Sequence, residues 1–247
     1  MRNTILGGFL AIGALLLLRA QRSFFSPDEF DAYVINLNKR RERLLNFNQS
    51  YIKSDIGKLK AVKRFEAVDG ARINVNELVT PKMAAGIKKL EMTGVKTDPA
   101  QLSRGMLGCY KSHFDLFEEI YEGDKQYGLI FEDDAVMDPK IYEKINNRIV
   151  FPEEWDIILL GHVRLMQYEK GPTAGLLRVH EFWGTHTYLI SRRGVGKMLL
   201  YKNMPIELQI DGFMSKLAQE GKLDVFATDP PLTAQARMGT DIQVRTA

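Results

Sequence analysis

The apolar positions of this chain fall into short continuous runs separated by stretches of helical spacing. Ala32-Tyr33-Val34-Ile35-Asn36-Leu37 is a β-branched run that predicts a buried strand. Leu44, Phe47 and Tyr51 then recur at helical spacing through Ile52, with Asn38 as the expected capping residue. Residues 62–68 form a second apolar stretch that ends at the turn dipeptide Asp69-Gly70. Residues 71–102 carry Pro81, Gly86, Gly94 and Pro99 and predict short helices joined by loop. Over residues 103–121, Leu107, Tyr110, Phe114, Phe117 and Tyr121 keep the 3.6-residue period of a helix with one core face. Gly128-Leu129-Ile130-Phe131 predicts a buried strand that stops at Glu132-Asp133-Asp134, and Asp138-Pro139 predicts the start of a helix running to about Ile149. Further strands are expected at 156–160, 187–190 and 223–226, with helices near 194–200 and 211–220.

Helices alternating with continuously apolar strands predict an α/β fold, a mostly parallel central sheet with helices on both faces. In such folds ligands sit at the carboxyl ends of the strands. Ahead of this body, residues 3–18 carry no charge and are bracketed by Arg2 and Arg19. The run is slightly under the roughly 20 residues of a comfortable span. It predicts an N-terminal hydrophobic helix over 1–22, a signal anchor that makes the chain a single-pass membrane protein of the secretory pathway or an inner membrane. Two other readings compete: a cleaved signal, for which Leu18-Arg19-Ala20 is a poor cleavage site, and an ordinary buried helix. Residues 23–30 then read as a tether and 31–247 as a single domain.

With 45% hydrophobic and 26% charged residues, the composition excludes disorder, collagen and coiled coil. The single cysteine, Cys109, excludes an internal disulfide and a zinc site built from several cysteines. A net charge of +3 suggests an anionic partner such as nucleic acid until it is placed by position. Arg2, Arg19 and Arg22 account for the whole surplus, so the body is neutral and no nucleic-acid partner is expected.

Within the body, charge is separated. Glu132, Asp133 and Asp134 repel one another at a strand end, where Mg²⁺ or Mn²⁺ held by one or two carboxylates and substrate phosphates would relieve them. The bland reading is a solvated acidic turn. Lys39, Arg40, Arg41 and Arg43 lie in the first turns of the helix after strand one, where cations oppose the helix dipole unless an anion binds there. Facing one another, the two patches would bracket a phosphorylated ligand and its metal. Cys109 and His113 share a helix face, as a packing pair or a nucleophilic one. His186, beside Gly184-Thr185, reads either as a structural histidine or as a metal or phosphate contact. Asp211 reads as an N-cap, a general base or a second metal ligand.

In this order the pieces resemble glycosyltransferase family 25. The matching stretches are Tyr33 to Leu37 with Arg40 and Arg43; Phe65 to Gly70; Gly105 to His113; Leu129 to Ala135; Trp155 to Gly161; Gly184 to Ser191; then Asp211 and Pro230-Pro231-Leu232. The resemblance implies a GT-A fold, a UDP-sugar donor, a divalent metal (Mn²⁺ first, Mg²⁺ second) and inversion at the transferred sugar. It implies a hexose, galactose or glucose, passed to a glycan, lipid-linked or protein acceptor. By the same resemblance Asp134, with Glu132 or Asp133, is expected to hold the metal; Glu132 and Asp134 are taken as its ligands, with His186 added from its own place beside Gly184-Thr185. Asn36, Arg40 and Asp69 would lie near the nucleotide, with Arg43, Ser112, His113 and Asp133 of the matched stretches beside them. Asp211 is the expected base. Asn38 departs from the family pattern, which has an aspartate after the first strand. Two other readings stand beside this one: a sugar-phosphate nucleotidyltransferase, and a catalytically inactive binding module.

Overall fold

The computed structural model describes residues 25–98 and 100–236. In chain order the elements are β1 (Phe30–Asn36), α1 (Arg41–Lys53), α2 (Asp55–Leu59), β2 (Val62–Glu66), a 3-10 turn (Gly70–Arg72), α3 (Val75–Leu78), α4 (Pro81–Thr93) and α5 (Arg104–Glu122). There follow β3 (Tyr127–Glu132), β4 (Ala135–Met137), α6 (Ile141–Arg148), β5 (Ile157–Gly161), β6 (Arg164–Lys170) and β7 (Leu176–Trp183). The last are β8 (Thr187–Ser191), α7 (Arg192–Tyr201), α8 (Ile210–Gln219), β9 (Val225–Thr228) and β10 (Thr233–Gln235).

The apolar runs form strands because both sheet faces are covered, so alternate side chains enter two separate cores. Tyr33, Ile35, Ile130, Ile157 and Leu159 pack on one face with Tyr110, Phe114 and Phe117 of α5 and Phe213 and Leu217 of α8. Ala32, Val34, Leu129, Phe131, Ile158 and Leu160 pack on the other with Phe47 and Tyr51 of α1 and Ile141 and Ile145 of α6. Truncating a fully buried ring such as Phe114 would cost about 3–5 kcal/mol.

The eight-stranded sheet has the order β2-β1-β3-β8-β5-β9-β7-β6, with β4 and β10 paired apart from it. It is mixed, which corrects the expectation of a mostly parallel sheet. β1 is parallel to β2 and β3, and β5 to β9. β8, however, lies antiparallel between β3 and β5, and β7 is antiparallel to β9 and β6. Continuous apolarity reports burial on two faces and carries no information about strand direction.

Local starts also differ. The N-cap of α1 is Arg40, not Asn38, whose side chain instead bonds Glu66 and Arg64. α6 begins at Ile141, and its first free N–H groups, on Tyr142 and Glu143, are taken by the Asp55 carboxylate at 2.8 Å each. Asp211 is the second residue of α8, behind the N-cap Gln209. The apolar run expected to anchor the chain, within residues 1–22, lies outside the described residues. Among the described residues no helix is long and apolar enough to cross a membrane.

Candidate active site

Because β1 and β3 are parallel with Ile35 opposite Glu132, their carboxyl ends open on one crevice, the position where α/β sheets take ligands. A cleft of about 230 Å³ lies there, lined by the β1 end, the loop 67–71, one face of α5, and Glu132 and Asp133. Arg43, Asp69, Ser112, His113, Glu132 and Asp133 of the predicted site line it; Asn36, Arg40, Asp134, His186 and Asp211 do not. Lys39 and Arg104 also line it. Lys39 was legible as part of the basic run. Arg104 stands alone in the sequence, and only the fold brings it to the cleft.

The basic and acidic patches do not stand apart across a gap; Arg43 joins them. Its Nη2 lies 2.6 Å from Asp133 Oδ1 and 2.7 Å from Asp134 Oδ2. Asn36, almost fully buried at the end of β1, donates from Nδ2 to Asp133 Oδ2 (2.7 Å) and to the Arg40 carbonyl (3.0 Å). Asn36 and Arg40 therefore support the acidic turn from behind. Gln235 reaches Asp134 Oδ2 at 3.2 Å, yet Asp134 Oδ1 is buried with no hydrogen-bond partner. Burial, reinforced by Glu132 and Asp133 against the opposing pull of Arg43, pushes the Asp134 carboxyl up to about 7. Lys39 Nζ pairs with Asp69 Oδ1 at 3.0 Å, and this bond holds Asp69 below the usual carboxylate range.

The three adjacent acids part company where β3 ends at Glu132 and the chain turns through Asp133 and Asp134. Glu132 turns to α5 and β8, accepting from Thr185 Oγ1 at 2.7 Å and standing 3.7 Å from His113 Nε2. Burial opposes its charge, but His113, Thr185 and His186 outweigh that and hold its carboxyl below the ordinary value. His113 is fully buried, its Nδ1 2.7 Å from the Tyr188 hydroxyl. Cys109 sits one turn before it, its thiol raised well above the ordinary range by burial and by Glu132, Asp211, Asp134 and Asp133. Among the described residues, the one cluster of three or more metal-ligand atoms mutually within 4.8 Å is Cys109, His113 and Glu132. Glu132, Asp134 and His186 do not form such a cluster.

Ser112 is a clip more than a free donor: its Oγ donates to the Gly108 carbonyl (2.7 Å) and accepts from Val68 N–H (2.8 Å). That bond depends on close approach, since a Cβ on Gly108 would stand 2.6 Å from the Val68 carbonyl oxygen. Asp211 is nearly buried, with Oδ2 accepting from Gly184 N–H at 3.0 Å and Oδ1 from Gly212 N–H at 2.8 Å. Gly184 offers that N–H at φ +91°, a conformation that favours glycine. Burial raises the Asp211 carboxyl despite these bonds. His186 is buried, its Nε2 3.4 Å from the Thr233 carbonyl and its Nδ1 without a partner. Burial lowers its pKa, so the ring is neutral near pH 7.

Comparison with known proteins defines the class. The model of the family described as "Glycosyltransferase family 25 (LPS biosynthesis protein)" matches residues 30–214. The chain belongs to glycosyltransferase family 25. It is similar to procollagen galactosyltransferase 1 of Danio rerio, 27% identical over 81% of this chain and 33% of that protein. It is also similar to procollagen galactosyltransferase 2 of Homo sapiens, 25% identical over 76% of this chain and 30% of that one. The chain thus spans about a third of the length of the curated relatives it matches. Among solved structures, a Drosophila galactosyltransferase mutant in complex with manganese, UDP-Gal and xylobiose aligns with a TM-score of 0.40 at 13% identity, over 85% of this chain and 71% of that one.

Proposed function

We propose that the chain is a metal-dependent, inverting GT-A glycosyltransferase that moves a hexose from a UDP-sugar to an acceptor hydroxyl. Family membership supports the class. The observation that carries the metal is the orphaned Asp134 Oδ1, a buried carboxylate oxygen with no donor in reach. His186 Nδ1 is a second buried, partnerless atom of ligand type. Carboxylate oxygen and neutral imidazole suit Mn²⁺, and carboxylate suits Mg²⁺. Asp134 and Asp133, which meet on Arg43 Nη2, would hold such an ion, with His186 outside any ligand cluster they form; when bound it would neutralise charge developing on the departing diphosphate. Glu132 faces His113, away from the Arg43 side where Asp133 and Asp134 meet, and is left out of this set.

The nucleotide-sugar occupies the cleft on this reading, with Lys39, Arg43 and Arg104 as its cations. Arg43 exchanges part of its pairing with Asp133 and Asp134 for phosphate, and Asp69 keeps Lys39 oriented. Asp211 takes the proton of the acceptor hydroxyl in a single in-line displacement, and its burial-raised pKa suits a base. A second groove lined by Glu181, Trp183, Gly212 and Lys216 supports acceptor entry on the Asp211 side, because Gly212 follows Asp211 and Trp183 precedes Gly184. A half-exposed Trp183 offers a flat face to a glycan of a saccharide, lipopolysaccharide or glycoprotein. The apolar run at 3–18 supports attachment of this domain to a membrane.

The test is UDP release by the full chain from a panel of UDP-sugars with Mn²⁺, with and without EDTA. Turnover that requires metal and is lost in Asp134→Ala is expected. No release or transfer with any donor, together with donor binding unchanged in Asp134→Ala, would overturn the proposal in favour of an inactive binding module.

A further inference from the structure

The floor of the cleft holds a group of ligand atoms that sugar transfer does not use. Cys109 and His113 lie one turn apart on α5, so thiol and imidazole project from the same face. Glu132 meets them from the end of β3, and one ligand atom from each of the three lies within 4.8 Å of the others. His113 is oriented from behind by the Tyr188 hydroxyl, 2.7 Å from Nδ1. The other ring nitrogen, Nε2, is buried and makes no hydrogen bond; Glu132 Oε1 stands 3.7 Å from it. Buried polar atoms are ordinarily satisfied, and a ring nitrogen facing a carboxylate oxygen without a bond leaves room for something between them. Glu132 is itself fixed by Thr185 Oγ1. A histidine with its far nitrogen held by a hydroxyl and a carboxylate steered by a second hydroxyl is the arrangement by which proteins orient metal ligands.

We propose that Cys109, His113 and Glu132 form a binding site for a borderline-soft divalent cation of the zinc class, separate from the metal of the donor diphosphate. A thiolate, an imidazole and a carboxylate make a mixed sulfur, nitrogen and oxygen set that zinc accepts, three protein ligands with one position left over. All three residues line the cleft. Binding replaces the thiol proton, which leaves to solvent, with a sulfur–metal bond, and the oxidation state of the ion does not change. The ion would tie α5 to the end of β3 and so fix the floor on which the donor rests. The proposal stands on these three residues and does not require that the chain transfer a sugar.

The experiment is a titration of the untagged, metal-stripped full chain with Co²⁺ as spectroscopic probe, followed by displacement with Zn²⁺. One equivalent of Co²⁺ is expected to give a thiolate-to-cobalt charge-transfer band that Zn²⁺ abolishes. Cys109→Ser should remove that band, and His113→Gln or Glu132→Gln should weaken Zn²⁺ binding by more than the roughly 10- to 100-fold that loss of an outer-shell partner costs. Asp134→Asn should leave the band intact even where UDP-sugar turnover is lost, which separates the two sites. X-ray absorption of the zinc-loaded wild-type chain reads the same question without a variant: one sulfur at about 2.3 Å is expected. An imidazole–carboxylate pair without metal would show as no charge-transfer band and no sulfur in the zinc shell, and either result would overturn the proposal. A band that survives Cys109→Ser would overturn it as well.

Discussion

Asp134 is where two requirements meet: the fold buries its carboxylate beside two others, and only Arg43 and Gln235 compensate, both through Oδ2. Its folded pKa of about 7 against an ordinary 3.8 fixes the sign of a pH effect. A carboxyl raised on folding contributes stability fully below the unfolded pKa, and that contribution is lost as pH rises through the folded one. The metal-free protein should therefore lose stability, relative to Asp134→Asn, between about pH 4 and pH 7 and level off above. Thermal melts of both proteins in EDTA check this. Adding Mn²⁺ above about pH 7 should restore the wild type and leave Asp134→Asn unmoved. The same substitution should lower Mn²⁺-dependent turnover, read as kcat/KM for the UDP-sugar, by more than the roughly 10- to 100-fold that loss of an outer-shell partner costs. The acidic run itself was legible in the sequence. What it could not show is that the strand ends at Glu132 and the chain turns at Asp133-Asp134, so that Glu132 joins His113 while Asp133 and Asp134 join Arg43.

At the level of elements, legibility followed burial. β1, β3, β5 and β8 were readable because both faces are covered and nearly every position is apolar. α5 was readable because ten of its nineteen residues are buried along one stripe, behind the cap Ser103. β6 gave no signal: it is the edge of the sheet, exposed at most positions, and its sequence Arg-Leu-Met-Gln-Tyr-Glu-Lys has neither alternation nor a continuous apolar run. The loop 67–71 was legible only as the turn Asp69-Gly70, whereas its closeness to α5 follows from two glycines. A Cβ on Gly70 would stand 2.1 Å from the Arg104 carbonyl oxygen, and one on Gly108 would stand 2.8 Å from Gly70 N. Gly108→Ala must push loop and helix apart because the obstructing atoms are backbone. It should cost about 1–3 kcal/mol in urea unfolding. It should also weaken UDP binding measured by calorimetry, since Val68, Asp69 and Gly70 line the cleft. Unchanged stability and unchanged UDP affinity would show that this contact is not what positions the loop.

Across the whole molecule, two clusters of buried charge stand at opposite ends of the strands. The cleft uses one set at the carboxyl ends of β1 and β3. The other set surrounds Asp156, just before β5, at the end where β8 finishes and β9 begins. Asp156 is fully buried, with Oδ1 2.8 Å from Arg193 Nε and Oδ2 2.6 Å from Lys197 Nζ. It also accepts from Asp224 N–H at 2.8 Å. Arg193 continues to Glu154 and Asp224, and Arg178 of β7 closes on Asp224 at 2.9 Å. The buried Asp156 carboxylate thus joins the head of β5 to α7 and to the start of β9, and Asp224 carries the network on to β7. The sequence hid this role, since residues 156–160 read as a single apolar strand with an acid at its head. Asp156→Ala removes the common partner but leaves Arg193 and Lys197 partly exposed and still near Asp224, so the loss is that of charge-assisted hydrogen bonds and one backbone N–H partner, about 1–3 kcal/mol. Urea denaturation should show the midpoint fall with little change in slope. Asp156→Asn, which keeps an acceptor for the Asp224 N–H, should fall less. Because the network lies at the strand ends away from the cleft, UDP-sugar turnover per folded molecule should be unchanged. A loss of turnover at temperatures where the variant is fully folded would show that the two ends are coupled through the strands.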